Sequence, residues 1–246
     1  MLKIKLYNTL QLLYKRFYVY FPGVRPPIWN GVKIPNSYTV GVIPYIPYVA
    51  NKLDYPKSEG GEVNAHKKHT RSGDTVVIVG GGRGVSAVHA AWSSGGNGKV
   101  IVLEGSEDYA QIVSDTIRLN DVRDQVDIRQ VIVGPANKIY GANVARKSLH
   151  PGDLPHCDVL ELDCEGAEQQ IVVDMNIRPR ILIVEIHPKQ SNATKTLKEI
   201  SALGYKIADY YDNEGNTLSN VEFENVLENC KLGHEGAPII VGKRIK

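Results

Sequence analysis

The run Gly80-Gly81-Gly82-Arg83-Gly84 constrains this fold more than any other feature, because an apolar stretch, Val76 to Val79, precedes it and a helical pattern follows it. Glycine turns the backbone tightly and lets another group approach where a Cβ would block it. A helix starting just after such a loop presents unpaired N–H groups. From residue 62 onward, strand and helix patterns alternate. Strand patterns cover residues 75–79, 99–103, 126–133, 159–162, 180–186, 205–211 and 238–243. Helical patterns cover residues 62–69, 85–93, 106–120, 168–174 and 193–203. Alternation of this kind predicts an α/β domain with a mostly parallel sheet covered on both faces. In such a sheet, ligands bind beyond the carboxyl ends of the strands, where the strand order reverses.

The first 61 residues follow other patterns and read as an extension to a domain spanning residues 62–246. Leu2, Leu6 and Leu10 fall on one helical face, continued by Leu13 and Phe17, with Lys3, Lys5, Lys15 and Arg16 among them. Such a helix packs on its own domain or on a homodimer partner, or it lies on a membrane surface. Residues 21–60 carry Pro22, Pro26, Pro27, Pro35, Pro44, Pro47 and Pro56. Proline withholds backbone donors, so an irregular or short-stranded arm is expected. Tyr38, Tyr45, Tyr48 and Tyr55 give it either a lid over a substrate cleft or a structural packing role.

A chain of 246 residues, 42% hydrophobic and 23% charged, can bury a core without disulfide staples. Cys157, Cys164 and Cys230 are odd in number and lack metal-site spacing, so reduced thiols in a cytoplasmic protein are expected. The net charge of +2 gives no argument for nucleic acid. No apolar run is long enough to span a bilayer, and no secretory leader is expected.

The residues after each strand carry the chemistry. The nicotinamide fingerprint requires G-x-G-x-x-G, whereas Gly80, Gly82 and Gly84 fall at G-x-G-x-G and position 85 is Val. That spacing resembles a loop that binds S-adenosylmethionine. Glu104 follows the second strand, where an acid accepts hydrogen bonds from ribose hydroxyls. The fourth strand runs into Glu161-Leu162-Asp163-Cys164-Glu165-Gly166-Ala167-Glu168. Asp163 and Glu165 are expected at the active site, and Glu168 as an acid favoured at a helix start. Glu185 and His187, two apart after the fifth strand, share a face, and His187 is a candidate general base.

The segment Asp158-Val159-Leu160-Glu161-Leu162-Asp163-Cys164-Glu165-Gly166-Ala167-Glu168 resembles the D-x-L-K-I-D-V-E-G-A-E signature of the FkbM family of class I methyltransferases. Gly73-Asp74, Asn120, Ile181 to His187 and Gly204-Tyr205-Lys206 extend the resemblance across residues 62–243. It implies a Rossmann-like sheet of seven strands with the last antiparallel, and S-adenosylmethionine as methyl donor. The acceptor it implies is a hydroxyl on a sugar, glycan or natural product. It places Gly80, Gly82 and Gly84 at the methionine end, Glu104 at the ribose, and Gln130 and Val131 beside the adenine. Two positions depart from the family pattern. Ile78 stands where an Asp is common, and Gly81-Gly82-Arg83 replaces the interior of G-A-N-x-G.

Methyl transfer to a hydroxyl needs alignment and a destination for the hydroxyl proton. His187 or Asp163 is the expected base. Alternatively Asp163, Glu165, Glu185 and His187 hold a divalent cation that acidifies the acceptor. Two rivals stand beside these readings: a degenerate methyltransferase domain serving as a binding or scaffold module, and a NAD-dependent oxidoreductase. The acceptor depends on residues 21–60 and 136–155, which carry no decodable motif.

Overall fold

The computed structural model describes residues 25–35, 54–135 and 144–245. The amphipathic pattern of residues 1–20, the tyrosines 38, 45 and 48, and residues 136–143 of the long loop lie outside these.

Seven strands build the main sheet: β3 (Thr75–Val79), β4 (Lys99–Glu104), β5 (Val126–Gln130), β8 (Val159–Leu162), β9 (Ile181–Glu185), β10 (Tyr205–Tyr211) and β11 (Ile239–Arg244). Their spatial order is β10-β11-β9-β8-β3-β4-β5, with β11 antiparallel to both neighbours and the other pairings parallel. This is the expected Rossmann-like sheet, with seven strands and the last antiparallel. The chain starts in the middle at β3 and runs outward through β4 and β5. It then returns to β8 and runs the other way, so the order reverses between β3 and β8.

The strands are nearly continuous apolar runs because both faces are covered. Val76, Ile78, Val100, Val102 and Val159 face one apolar layer, and Val77, Val79, Leu103, Leu160 and Leu162 face the other. The first layer is covered by α1 (Gly60–His69), α2 (Val85–Ser94) and α3 (Glu107–Leu119), and the second by α4 (Glu168–Asp174), α5 (Ala193–Ala202) and α6 (Asn220–Leu232).

The structure corrects one sequence expectation and adds one helix. The strand expected over residues 126–133 breaks at Val131, leaving β5 and a two-residue β6 (Ile132–Val133) that pairs instead with β7 (Ser148–Leu149). The helix α6 did not stand out by its apolar pattern. Its signal is a capping box in which Ser219 and Glu222 satisfy each other's backbone N–H groups.

Part of the extension is ordered against the domain. Asn30 and Gly31, both at positive φ, turn β1 (Ile28–Trp29) back onto β2 (Val32–Lys33). Val32 and Ile34 are fully buried in the first apolar layer. Asn120, at the end of α3, clamps Lys33 by accepting from its N–H at 3.0 Å and donating to its carbonyl at 2.8 Å. This arm brings Trp29 and Glu59 beside the glycine loop. All three cysteines are free thiols. No helix among the described residues is long and apolar enough to cross a membrane.

Candidate functional site

A cavity of about 280 Å³ opens at the carboxyl ends of β3, β4 and β8, where the strand order reverses. Gly80, Gly82 and Arg83 line it from the glycine loop, and Leu103, Glu104 and Gly105 from the tip of β4. Val131, Ile132 and Val133 form an apolar wall, Asp163, Cys164 and Glu165 form the acidic side, and Trp29 and Glu59 enter from the arm. An apolar pocket with a few convergent polar groups is the usual form of a small-molecule site.

The glycines serve different ends. A Cβ on Gly80, whose φ is 95°, would lie 1.7 Å from the Asp163 carbonyl oxygen, so this glycine lets the tips of β3 and β8 meet. Gly82, at φ 49°, faces the cavity, and the nearest atom to a Cβ there would be Glu59 Oε1 at 3.8 Å. Gly84 does not line the cavity. It precedes α2 at φ 82°, and a Cβ there would lie 3.2 Å from the Thr116 side chain of α3.

Glu104 accepts from the Gly81 N–H through Oε2 and from the Ser106 N–H through Oε1, each at 2.7 Å. Burial pushes its carboxyl up, against the pull of these N–H groups. The Gly82 N–H bonds this carboxylate as well, and with about four acceptor sites it has room for a ligand hydroxyl. Gln130 pairs with Glu104 across the β4–β5 register, but its side chain is exposed and is not part of the cavity wall. Val131, the next residue, is on the wall.

The β8 tip is organised by Glu168, 1% exposed. Its carboxylate accepts from the Cys164 and Gly166 N–H groups at 2.9 Å, and His187 Nδ1 donates to it at 2.9 Å. This holds a turn with Glu165 at φ 55°, a left-handed conformation uncommon outside glycine. Burial pulls the Glu168 carboxyl up, but the hydrogen bond and charge of His187 pull harder, and it settles below the ordinary value.

Asp163 and Glu165 face the cavity, whereas His187 and Glu185 stand behind Asp163, outside the lining. His187 Nε2 lies 3.4 Å from Glu185, 3.7 Å from Asp163 and 3.9 Å from Glu165. Burial disfavours its charge, yet the bond to Glu168 and the surrounding carboxylates prevail and raise its pKa. Asp163 is raised by burial, and Glu185 is raised further, by burial and by Asp163 beside it. The two carboxyls share a hydrogen bond. Asp163, Glu185 and His187 also offer three ligand atoms within 4.8 Å of one another.

Four acidic or basic residues were not singled out from the sequence: Glu59, Glu62, His66 and Glu161. Glu62 and His66 are one turn apart on α1, and Glu59 immediately precedes that helix. This spacing on a short polar helix was the available signal. Glu161 lies on the α1 side of β8, where His66 Nε2 at 2.5 Å and the Ser86 hydroxyl at 2.6 Å satisfy it. Glu62 is 4% exposed, and its Oε2 has no hydrogen-bond partner among the described residues. Burial, then Asp163, Glu161 and Glu59, push its carboxyl well up.

No protein-family model and no curated protein matches the chain. Similar solved structures include a SAM-dependent O-methyltransferase from Thermotoga maritima, 15% identical, with a TM-score of 0.47, over 78% of this chain and 66% of that one. The fibrillarin pre-rRNA processing protein of Methanococcus jannaschii is 15% identical, with a TM-score of 0.46, over 71% of this chain and 68% of that one. Precorrin-6y C5,15-methyltransferase from Geobacter metallireducens is 14% identical, with a TM-score of 0.46, over 74% of this chain and 86% of that one. This chain thus spans just under two thirds of the first of these. At such identities the likeness concerns fold alone.

Proposed function

We propose that the protein is an S-adenosylmethionine-dependent methyltransferase of the FkbM type, acting on a hydroxyl of a sugar, glycan or natural product. One observation carries this reading: the glycine loop, Glu104 and Asp163 converge on a single cavity at the strand-order reversal. The residues fit an adenosyl ligand. Gly82 leaves open backbone beside the cavity, Glu104 offers a carboxylate for ribose hydroxyls, and Val131 and Val133 supply an apolar wall for a base. When bound, the donor supplies a methyl group on a positively charged sulfonium.

The protein's part is alignment and proton handling. Holding acceptor and donor in line can supply about 7–11 kcal/mol of the barrier. Asp163 lies on the wall, and its raised pKa makes it a stronger base than an exposed carboxylate once ionised. His187 holds its proton more tightly than a free imidazole and lies behind Asp163. It serves better as a charge that keeps Asp163 ionised than as the base itself. The Glu168–His187–Asp163 line thus fixes the base from behind.

A second reading places a divalent cation at Asp163, Glu185 and His187, and the orphan oxygen of buried Glu62 nearby favours it. Oxygen ligands with one imidazole suit Mg²⁺ or Mn²⁺. Loss of methyl transfer on chelation, restored by Mn²⁺, would select this version. Unchanged transfer in chelator would reject it.

Thermal stability with adenosylmethionine, adenosylhomocysteine and NAD tests the main reading. Adenosylhomocysteine is expected to raise the melting temperature, and NAD to leave it unchanged. No binding of adenosylhomocysteine at millimolar concentration would favour a scaffold role, and stabilisation by NAD alone an oxidoreductase. Transfer of labelled methyl to a panel of glycans and hydroxylated natural products then tests the acceptor class.

A further inference from the structure

The cavity holds more negative charge than an adenosine needs. Glu104 serves one side of the glycine loop through Gly81. On the other side stands Glu59, which comes from outside the sheet. Its Oε2 accepts from the Ser86 N–H at 3.0 Å, at the start of α2, which fixes the carboxylate over the loop. Its Oε1 is turned toward Gly82, with the space of a missing side chain between. Burial, with Asp163 and Glu161 close by, brings its carboxyl up to about 8, and the Ser86 N–H and Arg83 offset this only in part. Such a carboxylate gains from a cation.

The charge of opposite sign is next to it. Arg83 lines the same cavity, and its guanidinium lies 4.8 Å from the centre of the Trp29 ring. Stacking on indole orients a guanidinium, and the planar fork of an arginine matches a carboxylate in shape and charge. An acid and an arginine on adjoining walls match one chemical class, the zwitterionic end of an α-amino acid.

We propose that Glu59 and Arg83 form the seat for the α-amino-acid end of the ligand, Glu59 receiving its ammonium and Arg83 its carboxylate. This rests on the adenosylmethionine reading and assigns two residues to it. It gives the ordered arm a task, since both Glu59 and the Trp29 platform belong to the arm.

The test is isothermal titration with three ligands: adenosylhomocysteine, 5′-methylthioadenosine, which lacks the amino-acid end, and S-adenosyl-3-thiopropylamine, which lacks only the carboxylate. The native protein is expected to bind adenosylhomocysteine at least about tenfold more tightly than either truncated ligand. Glu59→Gln should lose about tenfold for adenosylhomocysteine and the amine, yet stay within about twofold for methylthioadenosine. Arg83→Met should lose about tenfold for adenosylhomocysteine alone. Equal losses for all three ligands, or no loss, would overturn the seat. So would a native protein that does not discriminate among them, a result that requires no variant to fold. A native protein that binds none of the three rejects the adenosyl reading itself, and the seat with it.

Discussion

Glu168 and Asp163 sit in the same turn beyond β8, and the fold treats them oppositely. Glu168 is surrounded by donors, two backbone N–H groups and an imidazole, and its carboxyl is held below the ordinary value. Asp163 is buried among other acids, and chiefly burial, with the charges of Glu161 and Glu168 added, pushes its carboxyl up. Glu161 belongs with Glu168, since His66 and Ser86 satisfy it. Glu62, Glu185 and Glu59 belong with Asp163. The difference separates architecture from site. A buried carboxylate with its full set of donors stabilises a fold, whereas crowded carboxylates are a cost that a bound cation removes. The crowded group is the one beside the cavity.

The sharpest way to break this division is Asp163→Asn. In the proposed reaction Asp163 is the base, and a general base contributes roughly 10²–10⁴-fold to the rate. Its removal should leave the urea midpoint unchanged or higher, because one of the crowded charges is gone. Activity within threefold of native would remove Asp163 from the chemistry. A large loss of stability would move it into the group with Glu168.

Glu168→Ala is the complement, and its main effect should be on stability. It leaves two buried N–H groups and the His187 imidazolium without their acceptor, a loss on the order of 3 kcal/mol. Urea unfolding measures it. A change under about 1 kcal/mol would mean that the turn holds itself and that the donors find water instead.

The division between satisfied and crowded acids was only half legible in the sequence. The sheet was readable because its buried strands are apolar runs, and because α3 and α5 between them have capped, amphipathic patterns. The glycine loop, Glu104 and the Asp163–Glu168 segment were readable because they follow strands, and strand ends converge wherever a parallel sheet is built. The parity of β5 was not readable. A break after Gln130 turned that side chain to solvent and put Val131 on the wall, and no glycine or proline marks the break. Glu59 and Glu62 were missed for another reason. They precede the first strand of the sheet, and only the packing of α1 across the tips of β8 and β9 brings them to Asp163. Arg83 was visible as a departure from the family pattern, but its meaning depended on Trp29, a contact between distant parts of the chain.

The smallest predicted effect concerns Glu62, and it separates crowding from every other source of pH dependence. A carboxyl whose folded pKa is raised binds more protons in the folded state between its unfolded value and its folded one. Through that window stability falls as pH rises. Glu62, Asp163 and Glu185 all act in this sense, so the metal-free protein should melt higher near pH 5.5 than near pH 8. His187 acts in the same direction. Its raised pKa gives stability that is full below its unfolded value, about 6.5, and is lost as pH rises through the folded value. His69 and His89, lowered chiefly by burial, act in reverse, since stability is lost as pH falls through that region. Glu168 is silent here because its lowered pKa changes stability only at more acidic pH. These contributions overlap in the native protein, but the difference from Glu62→Gln cancels those that the variant leaves unaltered. At pH 8 the neutral amide should stabilise by about 1 kcal/mol, or about 2–4 °C in melting temperature. By pH 5 the native carboxyl is protonated too, and the gap should close. A gap of the same size at both pH values would show that the amide packs or bonds better than the acid, and that Glu62 carries no uncompensated charge. A variant less stable than native at pH 8 in the presence of chelator would show that the orphan oxygen has a partner the protein itself supplies.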